Sequence, residues 1–241
     1  MLFLIKIPDL GDEFHEMWTE LMLLAETPPA PWVLIGAQMV VVLGWELGRE
    51  QVRPSRDADV LVNARAVTDG TKRVSRALLT RGYELDGISS TGIGHRFVRG
   101  TVSIDVLGPD GIGERADLKT ALGARTVRVP GGTQALRRRR DVEIKTRSRS
   151  GLLPIPNLLG ALLVKVRAIA VADQPEVQRR DTAFLLSLIE DPDEQAVEVS
   201  QTERIWLRRH PYFGDPASEC YVGLAEARDA AIVYRRLAKL P

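Results

Sequence analysis

Apolar positions recur at helical spacing from Leu10 to Glu26, which predicts a leading amphipathic helix stopped by Thr27-Pro28-Pro29-Ala30-Pro31. The run from Trp32 to Leu43 is almost wholly apolar, strand-like as far as Ile35, interrupted at Gly36 and helical from Ala37. Acidic and apolar residues then alternate from Asp57 to Val60, a strand signature, and a helix follows from about Ala66 to Thr80. Further strands are expected around Arg96, Ile104, Val127 and Ile144, with glycine-rich connections at Gly87 to Gly94 and Gly108 to Gly113. Ser148-Arg149-Ser150-Gly151, with Pro154 and Pro156 close behind, marks a boundary, and helical patterns dominate beyond it. The expected fold is α/β in the broad sense (α+β), a mixed sheet flanked by helices in residues 1–150 and a helical domain in residues 151–241.

Composition supports this reading: at 241 residues, a 44% hydrophobic content is ample for a core. The net charge of +1 says little, but its distribution is uneven. Arg137-Arg138-Arg139-Arg140, then Lys145, Arg147 and Arg149, form a basic ribbon on a strand whose alternation leaves one face wet. Such a ribbon suits either a polyanion such as RNA or a solvated edge that resists aggregation. A single cysteine, Cys220, excludes an internal disulfide and points to a reducing compartment. The opening Met1-Leu2-Phe3-Leu4-Ile5-Lys6-Ile7 is too short for a signal-peptide core, and no run approaches membrane-spanning length, so a cytoplasmic protein is expected. The histidines His15, His95 and His210 are scattered and give zinc no support.

The chemistry lies in three acids. Asp57 and Asp59 are two residues apart on one strand and share a face, and Asp105 sits in a second apolar strand, Val102-Ser103-Ile104-Asp105-Val106-Leu107. Carboxylates gathered on core strands repel one another unless a cation lies between them, and hard oxygen ligands suit Mg2+ or Mn2+. The Ile35-Gly36-Ala37 junction adds a helix start whose free backbone N–H groups favour phosphate. Lys165 and Asp181 each fall on an apolar helix face in the carboxyl third. They are read either as a buried ion pair or as a lysine that reaches nucleotide phosphates beside its orienting acid.

In this order, Ile35-Gly36-Ala37, Arg53-x-Ser55-x-Asp57-x-Asp59 and Ile104-Asp105-Val106 resemble the nucleotidyltransferases of the DNA polymerase beta superfamily, and most closely the AbiEii-type toxins. Lys165 and Arg180-Asp181 occupy the places of that group's helix-borne lysine and basic-Asp motif, and the resemblance runs from about Trp32 to Leu188. It departs at Ala37, where a Gly or Ser is usual; in the longer stretch from Gly36 to Asp57, read as an inserted loop around Trp45 to Gln51; and at Phe184, where such toxins often repeat an acid.

The resemblance implies a nucleotidyltransferase fold and transfer of a nucleoside monophosphate from an NTP such as ATP to an acceptor hydroxyl. It assigns metal to Asp57, Asp59 and Asp105, catalysis to these acids and Lys165, and nucleotide contacts to Gly36, Ala37, Arg53, Ser55, Lys165 and Asp181. It further implies an RNA acceptor, the tRNA 3′ end, and a cognate antitoxin. A small-molecule (antibiotic) nucleotidyltransferase and a non-catalytic nucleotide-binding interaction protein stand as the alternatives.

Overall fold

Strand β2 (Trp32–Ile35) is buried throughout and turns directly into helix α2 (Gly36–Glu46) at Gly36, whose φ of +75° is a backbone conformation that L side chains rarely adopt. A computed structural model describes residues 4–49, 57–113 and 117–240, and within it the chain divides into two compact units, Met1–Asn157 and Leu158–Pro241.

The amino-terminal unit is built on a mixed sheet. Strand β3 (Asp57–Val62) pairs antiparallel with β2 on one side and parallel with β6 (Val102–Pro109) on the other. Strand β5 (Arg96–Arg99) runs antiparallel to β6, and the short β4 (Glu84–Leu85) closes the edge, giving the order β2-β3-β6-β5-β4 with β7 (Arg128–Val129) alongside the far end of β6. One face carries Ala58, Val60, Ile104, Val106 and Phe97, all essentially inaccessible. Helix α3 (Gly70–Thr80) packs on that side, its Gly70 lying against Val62. On the other face, Leu61 is covered by α4 (Gly132–Arg137), where a Cβ at Gly132 would crowd it at 3.2 Å. That cover reaches Leu61, while the beginning of β3, where Asp57 stands exposed, belongs to the same face.

A second sheet comprises β1 (Leu4–Lys6), β8 (Arg139–Lys145) and β9 (Ser150–Pro156), in the order β1-β8-β9. Strand β9 packs against β2 and against the leading helix α1 (Asp12–Glu26). The segment read from sequence as a boundary is therefore a strand: its prolines fall where the ladder with β8 continues, and the units part at Asn157. Helix α1 is tied to the sheet edge by Glu20, a buried acid that accepts from Arg81 at 2.7 Å and from Arg99 at 3.1 Å, while Arg99 also stacks over Tyr83 at 4.5 Å. A buried carboxylate costs several kcal/mol unless paired, and two guanidinium groups offset that cost here. Trp45, expected in an inserted loop, instead completes α2 and packs edge-on against Phe14 and at a tilt against Trp18 of α1.

The carboxyl-terminal unit is helical: α5 (Leu158–Ala168), α6 (Pro175–Ser187), α7 (Pro192–Glu198), α8 (Gln201–Arg208) and α9 (Ala227–Ala238). Ser200 and Glu203 form a capping box at the start of α8. Arg204 and Arg208 donate to the carbonyls of Leu237 and Ala238, satisfying acceptors that the end of α9 leaves unpaired. Among the described residues no helix is long and apolar enough to cross a membrane.

Candidate functional site

The parallel register of β3 and β6 places Asp59 directly opposite Asp105 and Asp57 opposite Ser103. Opposite residues share a sheet face, so the three acids lie on one side, in two rows two residues apart along the strands, with neighbours in a row about 4.8 Å apart from strand to strand. Ser103 Oγ donates to Asp57 Oδ1, fixing that carboxylate in the first row. In the second row the sequence across four strands reads Ile35, Asp59, Asp105, Arg96. The register thus puts the three acids on one face, at the end of the sheet where β3 begins.

Gly36 belongs to this site through geometry. A Cβ built on it would stand 1.8 Å from Asp59 Oδ2, so only a residue without a side chain allows the start of α2 to lie against that carboxylate. The first backbone N–H groups of α2 have no intrahelical acceptors, a property of every helix start, and they begin beside the acid cluster. Ala37 continues the helix as expected. Arg53 and Ser55, assigned to the nucleotide by resemblance, lie outside the described residues.

Arg96 is the neighbour of the acid cluster that sequence reasoning missed. Its Nε donates to Asp105 Oδ1 and its Nη2 to Asp105 Oδ2, both at 2.9 Å, a two-bond fork that matches guanidinium to carboxylate. The Arg96 guanidinium is held even further above its ordinary range, first by the hydrogen bonds to Asp105, against the effect of burial, and also by the charges of Asp105, Asp57 and Asp59. The charges of all three acids therefore bear on Arg96. His95 Nε2 lies 3.8 Å from Asp105 Oδ2, beyond hydrogen-bond range. A signal for Arg96 was present: strands β5 and β6 are joined through Gly100-Thr101, and a two-residue connection sets Arg99 against Val102 and hence Arg96 against Asp105.

The donor set suits a hard divalent cation in kind, being all carboxylate and hydroxyl oxygen. The present arrangement commits those oxygens elsewhere, Asp105 to Arg96 and one oxygen of Asp57 to Ser103. Among the described residues no group of three or more His, Cys, Asp or Glu side chains is posed to hold a metal ion.

Lys165 and Asp181 lie in the other unit, on α5 and α6. Their side chains are joined at 2.8 Å, with Gln178 Oε1 also accepting from Lys165 at 3.2 Å, and both residues are buried. The ion-pair reading of the two positions describes this geometry. A cavity of about 430 Å³ in the same unit is walled by two guanidinium groups, Arg179 and Arg180, and by the carboxylates of Glu176, Asp215 and Glu219; none of the acid cluster lines it.

The basic ribbon is extensively paired. Arg139 meets Asp141 at 2.8 Å, Arg140 forks onto Glu46, Arg147 meets Asp12, and Arg149 meets Glu26. Each pairing removes positive potential that a polyanion could use.

Comparison of the chain with protein-family models, with curated proteins and with solved structures returns no match.

Proposed function

We propose that this protein is a cytoplasmic, divalent-metal-dependent nucleotidyltransferase, which moves a nucleoside monophosphate from an NTP to an acceptor hydroxyl. The observation that carries the reading is the row in which Asp59 faces Asp105 across parallel strands while Gly36, at a helix start, makes room for Asp59. Asp57, Asp59 and Asp105 would hold Mg2+ or Mn2+, which when bound would supply charge neutralisation at the α-phosphate and at the leaving pyrophosphate. Asp105 receives the proton of the acceptor hydroxyl, whose oxygen bonds to the α-phosphorus as the bond from that phosphorus to the bridging oxygen breaks and pyrophosphate leaves. Backbone N–H groups at the start of α2 orient the phosphates.

An RNA acceptor such as the tRNA 3′ end, and an antitoxin that restrains the enzyme, are supported by the resemblance to AbiEii-type toxins. The second reading, a small-molecule acceptor, is favoured by the ion pairing along the basic ribbon, which leaves that surface less suited to RNA.

Incubation of the protein with each labelled NTP, Mg2+ or Mn2+ and total RNA tests the proposal. Label in RNA, lost in Asp59→Asn, supports it; label in a small molecule selects the second reading. Absence of transfer from all four nucleotides, to RNA and to a small-molecule library, by folded protein would sink it.

A further inference from the structure

We infer that Arg96 is a resident cation of the acid cluster, seated on Asp105, and that a divalent metal ion binds by displacing it from that carboxylate. The inference rests on the metal-dependent reading above.

Asp105 is buried, its side chain 9% exposed, and while ionised a carboxylate in that environment is costly without a cation beside it. Exchange of Arg96 for another cation keeps that charge compensated. The position of Arg96 itself permits departure: the side chain is 42% exposed, so the guanidinium can turn into solvent without becoming a buried, unpaired charge.

The two cations differ in what they can serve. A guanidinium is planar, and here its Nε–Nη2 edge is spent on Asp105. Asp59, directly across the strand, and Asp57, in the next row, act on Arg96 through charge. A small divalent ion carries twice the charge and takes oxygen ligands from several sides at about 2.1 Å, so it can draw carboxylates from both strands onto one centre. Exchange thus converts three acids grouped around a neighbouring arginine into one ligand set. Arg96 is in this sense an affinity-setting residue: metal binding is weakened by the bonds that must be given up.

The test uses the metal alone, without nucleotide. Mn2+ affinity, read from the free-ion resonance signal, is measured for the full-length protein and for Arg96→Met and Arg96→Lys. Competition predicts affinity higher by about tenfold in Arg96→Met, with Arg96→Lys, a cation without the fork, in between. Equal or weaker affinity in both folded variants overturns displacement while leaving the metal site standing. Where Arg96→Met does not fold, Arg96→Lys and the native protein decide. In arginine-15N-labelled protein, the Arg96 Nε–H resonance, identified by its loss in Arg96→Lys, should shift on adding Mg2+, and should stay fixed in Asp59→Asn. A resonance that does not move while Mg2+ raises the melting temperature overturns the inference alone. No response of any readout to Mg2+ or Mn2+ overturns both the inference and the metal-dependent reading.

Discussion

Gly36 and Asp59 approach so closely that a Cβ on the glycine would fall 1.8 Å from the Asp59 carboxylate oxygen. Two penalties meet at this position, the overlap and the left-handed backbone, which alone costs a residue with a side chain about 1–2 kcal/mol. Gly36→Ala should lose at least that much stability in urea unfolding and should also lose Mn2+ binding, because Asp59 must move. A variant of native stability that binds metal normally would show that the contact is incidental.

Lys165 and Asp181 form a buried pair 2.8 Å apart, each almost wholly inaccessible. Lys165→Met leaves the carboxylate without its ammonium partner and should cost about 3–5 kcal/mol. Lys165→Met combined with Asp181→Leu should recover most of this in the same denaturation experiment, since apolar replacement of both partners is often neutral. Little loss of stability in the single variant, together with a large loss of transfer activity, would instead give the lysine to the nucleotide.

The arginines of the ribbon meet acids on α1, α2 and their own strand. Replacing Arg139, Arg147 and Arg149 with serine should leave the salt dependence of RNA binding unchanged, because a slope of about 0.7 per single-strand phosphate contact is lost only where contacts existed. A slope flattened by the corresponding amount would restore the ribbon as an RNA surface. Such partly exposed pairs contribute about 1 kcal/mol or less each, so only a small change in melting temperature is expected.

High pH should loosen the carboxyl-terminal unit. Burial pushes the Tyr234 phenol up to about 12 from its ordinary 10.0, and the Tyr221 phenol is also raised, again chiefly by burial. The folded state holds these protons more tightly than the unfolded chain does. Their contribution is therefore complete below pH 10, and that of Tyr234 is lost as the pH rises through about 12. Tyr234→Phe should lessen that decline in a pH series of urea midpoints. At neutral pH it should cost about 1 kcal/mol, because Tyr234 donates to the Leu207 carbonyl at 2.9 Å inside the unit. A decline equally steep in the variant would remove Tyr234 as its source.

Local patterning determined much of this molecule. Alternation around Asp59, where one buried face imposes a period of two, and the apolar run around Ile104, buried on both faces, sufficed to place strands there, and the proline-rich stop after Glu26 ended α1 where the backbone can no longer continue a helix. The glycine at 36 was legible as a strand-to-helix junction. What lay against it was not, since Asp59 reaches it only through the pairing of β2 with β3. Strand β9 was hidden for a related reason: its prolines and glycine read as a linker, and only the β8 ladder and the packing on α1 make it a strand. The seven positive charges from Arg137 to Arg149 were visible in the sequence, whereas the carboxylates facing them come from as far away in the chain as Asp12 and Glu46. Tertiary structure likewise chose the partner of Asp105. Sequence supplied the acid and the expectation of a cation beside it, and the hairpin register of β5 on β6 decided that Arg96 fills that place, because hydrogen-bonded pairing fixes which side chains share a row.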